Sequence, residues 1–109
     1  MYDNVFDNLA TNLHQAAIEK GFWPEDVDDI FIAKQCMMIV SEVTEVMEAI
    51  RKDKGEEEIT KEFADILIRT LDLYAGVVEA GYTRLSLDNA LNEKVEFNKT
   101  RPEKHGVRF

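Results

Sequence analysis

A chain of 109 residues supports one domain with a modest core, and 45% apolar with 32% charged content sets it among folded proteins rather than disordered ones. The formal charge of −9 excludes unaided binding to a nucleic-acid polymer or an anionic membrane, since both would repel it. A phosphate-bearing ligand stays open, provided that a divalent cation sits between the two negative partners.

Two prolines and five glycines leave little room for long loops, so the composition points to helices. The first is expected from about Asp3 to Lys20, where Val5, Leu9, Leu13 and Ala17 form one apolar stripe with Phe6 and Ala16 beside it. His14 borders that stripe and reads as surface or interface. Gly21 is a natural stop, and Pro24 biases Trp23 away from helical geometry in the linker Phe22 to Asp26. The N-terminus lacks a basic stretch followed by an apolar one, and no segment is long enough to span a bilayer. With the lone Cys36 unable to form an internal disulfide, the expected setting is reducing and cytoplasmic.

A second helix is expected from Asp28 or Asp29 to about Lys52, with Arg51, Lys52 and Lys54 at its negative end before Gly55. The run Glu56-Glu57-Glu58 suits the positive start of a third, ending near Gly81. Ser86 caps a fourth that reaches about Thr100, because Pro102 discourages continuation. The tail from Glu103 to Phe109 has no usable periodicity. Short connections between helices imply mainly antiparallel packing, hence an all-α four-helix bundle in a single domain over 1–109.

The acids carry the chemistry. Glu42 and Glu45 on the second helix, and Glu62 and Asp65 on the third, each stand three residues apart, which puts each pair on one face at about 5–6 Å between Cβ atoms. Antiparallel neighbours would let the two pairs face each other. Ile39, Val43, Val46 and Ile50 are expected to form the core stripe of the second helix, with Glu42 at its edge. The third helix is apolar on nearly every side, and Glu62, Asp65, Arg69 and Asp72 make one narrow polar stripe, so burial is expected. Carboxylates gathered there repel one another and lose hydration, and a hard divalent cation such as Mg2+ is the simplest compensation. One such pair alone is usually a solvated face, and Glu48 is assigned to solvent. Arg69 reads as an internal counter-charge to Asp65 or Asp72. On the fourth helix Lys94, Asn98 and Arg101 continue the line of Leu87 and Leu91 and become a candidate phosphate clamp, although cations at a helix C-terminus also simply suit its dipole.

These residues resemble the MazG-like nucleoside triphosphate pyrophosphohydrolases of the all-alpha superfamily. The resemblance covers about Lys20 to Pro102 and rests on the E-x-x-E, spacer, E-x-x-D pattern. The segment Ser41 to Ala49, the Lys20-Gly21-Phe22-Trp23 turn, and Lys94 with Asn98-Lys99-Thr100-Arg101-Pro102 support it. It implies a bundle completed by homo-oligomerisation, a tetramer ahead of a dimer. It also implies hydrolysis of (deoxy)nucleoside triphosphates to monophosphate and pyrophosphate, by water attack on the alpha phosphorus. Glu42, Glu45, Glu62 and Asp65 are then catalytic and hold Mg2+, and Lys94, Asn98 and Arg101 contact phosphate. The choice of base and the identity of the water-activating glutamate stay open. Trp23 could stack on a nucleobase, or fill the core or a subunit interface.

Other readings fit less of the pattern. A di-iron bundle would need Glu-x-x-His pairs, which neither His14 nor His105 supplies. A phosphoribosyl-ATP pyrophosphohydrolase shares the superfamily chemistry. A non-catalytic helical module that binds nucleotide or a partner would have no use for all four acids.

Overall fold

The computed structural model describes residues 2–101. Four helices are present: α1 (Val5–Glu19), α2 (Asp29–Arg51), α3 (Glu56–Glu79) and α4 (Leu87–Thr100). No strand occurs among the described residues, and no helix among them is long and apolar enough to cross a membrane. The expected boundaries hold to within about two residues. Pro102 and His105, on which two expectations rested, lie outside the described residues.

Local chemistry sets the ends. Asp28 Oδ1 accepts the Phe31 N–H at 2.8 Å to start α2, and Ser86 Oγ accepts the Asn89 N–H at 3.1 Å to start α4. At the end of α1, Gly21 adopts a φ of 78°, so that the Phe22 N–H reaches back to the Ala17 carbonyl at 3.0 Å. The same closure ends α2 one step earlier than expected. Asp53 takes the left-handed position (φ 53°), and the Lys54 N–H bonds the Ala49 carbonyl at 2.9 Å.

The helices pack in the order α2–α3–α1–α4, with α3 central and α4 resting on α1 alone. The four-residue turn 52–55 makes α2 and α3 an antiparallel hairpin. Packing is partial. The buried apolar set among the described residues is small (Ala10, Ala17, Val46, Ala49 and Leu71), and the radius of gyration is 16.4 Å against about 13 Å for a compact chain of this size.

The expected core stripe of α2 is rotated. Val46 is buried, but Val43 and Ile50 are more than half exposed, and the face turned to α3 runs through Gln35, Ile39, Glu42, Val46 and Ala49. The opposite face carries Ile30, Met37, Val40, Val43, Met47 and Ile50 to solvent. α3 likewise exposes Phe63, Leu67 and Ile68. The hairpin therefore has two apolar aspects, and the protomer covers one.

α1 and α4 cap each other's first turns. Asp88, 1% exposed, accepts the Phe6 N–H at 3.1 Å and the Asp7 N–H at 2.8 Å, supplying the cap that Asn4 does not. Asp7 returns the arrangement, accepting the Ser86 hydroxyl at 2.6 Å and the Leu87 N–H at 2.8 Å. Desolvation pushes the Asp7 carboxyl up, yet these donors outweigh it and hold the group below the ordinary aspartate value. A depressed carboxylate stabilises the fold above its unfolded pKa and loses that contribution as pH falls through the folded one. Asp7→Asn is expected to lower unfolding stability by about 1–3 kcal/mol at neutral pH, and to flatten the acid limb of the stability curve, as measured by urea unfolding across pH 2–7.

Candidate metal centre

Glu42 sits within the packed face of α2, its side chain 17% exposed, because the segment around it turns the same stripe as Ile39 and Val46 toward α3. Glu62 and Asp65 lie one turn apart on the facing side of α3. Together, Glu42, Glu62 and Asp65 each offer one oxygen within 4.8 Å of the others. Glu45 stands outside that group, exposed, though close enough to act on Glu62 electrostatically. Three of the four expected acids thus converge in the protomer.

The donor set is entirely carboxylate oxygen, with no thiolate or imidazole, which suits Mg2+ or Mn2+ rather than zinc. With their oxygens within 4.8 Å of one another, the three side chains would hold one such ion once they draw together around it. The electrostatics agree. Desolvation, then repulsion from Asp65, Glu45, Glu42 and Glu58, raises the Glu62 carboxyl above its ordinary value. Among the described residues one cation answers this charge: Arg69 donates through Nε to Glu42 Oε1 at 2.8 Å, bridging α3 to α2. The expected pairing with Asp65 or Asp72 is not formed.

A cavity of about 590 Å³ opens beside the acids, with Glu42, Asp65 and Arg69 on one wall and Lys20, Trp23, Lys34 and Gln35 among the others. Two further clefts, of about 500 and 430 Å³, lie along α1 and α3 and contain none of the four acids.

Trp23 forms part of this wall from a fixed position. Its Nε1–H donates to both oxygens of Asp72, at 3.0 and 3.2 Å, and its ring meets His14 and Phe31 edge-on. Gly76 makes room for it: a Cβ there would fall 2.1 Å from the indole, so no other residue fits without displacing the ring. His14 is not a surface group. It is 6% exposed, with Nδ1 2.8 Å from Asp72 and Nε2 2.9 Å from Glu79. It ties α1 to α3 behind Trp23.

Lys94, Asn98 and Arg101 are elsewhere. No Cα of α4 comes within 8 Å of one in α2 or α3, so within the protomer they stand apart from the acidic cluster. The cations of Lys94 and Arg101 lie over the Phe97 ring at 5.8 and 5.5 Å.

The raised Glu62 pKa carries a definite sign. In the metal-free protein its ionisation opposes folding, so its contribution to stability grows as pH falls through the raised value. Glu62→Gln should therefore raise the melting temperature of metal-free protein at pH 7 and abolish the rise that Mg2+ or Mn2+ produces in the wild type. Thermal melts with chelator and with added cation check both halves. A wild-type protein indifferent to either ion would refute the centre.

Comparison with curated proteins and with solved structures returned no match. A family model, the MazG nucleotide pyrophosphohydrolase domain, matches residues 32–104 and takes in both acidic pairs. On that match, together with four helices that bring Glu42, Glu62 and Asp65 together, the chain belongs to the MazG nucleotide pyrophosphohydrolase family.

Proposed function

We propose that the chain is a single MazG-like domain over 1–109 that hydrolyses (deoxy)nucleoside triphosphates to the monophosphate and pyrophosphate in a Mg2+-dependent reaction. The observation that carries the proposal is the convergence of Glu42, Glu62 and Asp65, two of which, Glu42 and Asp65, also line a cavity large enough for a nucleotide. Membership of the family supplies the class of bond broken.

The residues divide the work by their chemistry. Glu42, Glu62 and Asp65, with Glu45 one turn along, would hold the cation, which supplies charge neutralisation and orientation for the polyphosphate. Glu45 is exposed and outside the tight group, which leaves it free to complete the site or to take the proton from water as it attacks the alpha phosphorus. Trp23, fixed by Asp72 and Gly76, would bound the nucleoside, with Lys20, Lys34 and Gln35 as neighbouring polar groups. Pyrophosphate release measured over the common nucleotides, with and without Mg2+, tests the activity. Glu42→Gln and Asp65→Asn are each expected to lower kcat by about 100-fold or more with helicity unchanged. Activity near wild type in either variant would remove that residue from the site.

Assembly belongs to the same proposal. The exposed row Met37, Val40, Val43, Met47 and Ile50 on α2, with Phe63 and Leu67 on α3, is the apolar face that a second copy would cover. A homo-oligomer, a tetramer ahead of a dimer, would close the open protomer. It could also bring Lys94, Asn98 and Arg101 of another copy to the polyphosphate. A cytoplasmic setting suits a nucleotide substrate. Met47→Glu places a charge in the middle of the row, and light scattering should then report a smaller species than the wild type. A wild-type protein that is monomeric at micromolar concentration would end the assembly part of the proposal.

A further inference from the structure

Among the described residues Arg69 is the one cation placed in the acidic cluster, and the hydrolysis gives it no task. Its Nε–H is committed to Glu42 at 2.8 Å. The remaining guanidinium donors have no acceptor among the described residues, although a guanidinium offers five N–H groups in a fixed fork. The side chain is 38% exposed and lines the same cavity as Glu42 and Asp65. Its other acidic neighbours do not compete for it. Asp72, one turn along, is occupied by His14 and by the Trp23 indole, and Asp65 forms no ion pair with Arg69.

We propose that Arg69 is a phosphate-binding residue of this site: Glu42 holds the guanidinium by one edge, and the free edge receives an oxygen of the substrate's polyphosphate. The inference rests on the reading of the acids as a divalent-cation centre. The chemistry is particular to arginine. It stays charged at any working pH, and its planar fork serves a carboxylate on one side and a phosphate on another, which a lysine ammonium cannot do with the same geometry. Two consequences of opposite sign follow. As a cation next to Glu42, Arg69 weakens metal binding in the absence of nucleotide. As a donor to phosphate, it strengthens binding of the polyphosphate. A side chain that merely held α3 to α2 would not produce opposed effects.

Titration calorimetry of the full chain with Mn2+ alone, then with inorganic tripolyphosphate in the presence of Mn2+, separates the two. Arg69→Gln is expected to bind Mn2+ about three- to fivefold tighter, the scale of a partly screened charge pair, and tripolyphosphate about fivefold or more weaker. Arg69→Lys, which keeps the charge and loses the fork, should retain the wild-type affinity for Mn2+ and still bind tripolyphosphate about threefold more weakly. Circular dichroism checks that both variants stay helical, and the lysine variant alone suffices should the glutamine one unfold. Tripolyphosphate affinity unchanged in either variant, or Mn2+ affinity unchanged or weakened in Arg69→Gln, overturns the assignment. If the wild type itself binds no Mn2+, the metal centre falls and takes this role with it.

Discussion

Like charge gathered between two antiparallel helices is the constraint from which the rest follows. Glu42, Glu62 and Asp65 are held within 4.8 Å because α2 and α3 are joined by a tight turn and packed against each other. Desolvation, then repulsion from the neighbouring acids, raises the Glu62 carboxyl, so its ionisation opposes folding when no cation is bound. The arrangement persists because the hairpin is over-determined elsewhere: Val46 and Ala49 are buried along the same seam, and Arg69 bridges the two helices at the acids themselves. With three carboxylates and one guanidinium, the cluster carries a formal charge of about −2, the complement of one divalent ion. A fully compensated site would have no use for a metal.

Behind the acids, a second polar group keeps the cavity in shape. Asp72 accepts from the Trp23 indole and faces one nitrogen of His14, while Glu79 faces the other. The linker after α1, a segment with no regular hydrogen-bond ladder of its own, is thereby fastened to the central helix. Gly76 completes the fastening by leaving the indole a place to lie. At the far side, the reciprocal caps of Asp7 and Asp88 let two positive helix starts meet without orphaned N–H groups. Charge thus organises three places in one small fold: it links α2 to α3, α3 to α1, and α1 to α4.

How much of this was legible in the sequence depended on range. Caps and stops are local, so Ser86 and Gly21 announced two boundaries and the pair Asp28 and Asp29 a third, of which Asp28 is the cap, and the helical spacing of the acids fixed which carboxylates share a face. Rotation of a helix about its axis is not local. α2 is apolar on two sides, and the sequence favoured Val43 and Ile50 where the structure packs Gln35, Glu42 and Ala49. Nothing in the pattern says which side meets α3 when both are apolar. His14 was misread for a related reason. A histidine beside an apolar stripe is ambiguous until its partners are known, and Asp72 and Glu79 lie 58 and 65 residues away. The separation of Lys94 and Asn98 from the acids was equally out of reach, since collinearity along one helix says nothing about which neighbour that helix chooses.

The doubly apolar character of α2 also explains how so polar a seam can be tolerated. A hairpin whose inner face is spent on carboxylates and a guanidinium has less apolar area to bury within the protomer, and the small buried apolar set agrees. The missing burial is present in the sequence but turned outward, in the row from Met37 to Ile50. Covering that row would restrain α2 from its back and fix the rotation that directs Glu42 at Glu62 and Asp65. Metal affinity and assembly would then be coupled through one helix. A protein that binds the ion should associate more tightly, and by reciprocity the associated protein should hold the ion more tightly than the free protomer does.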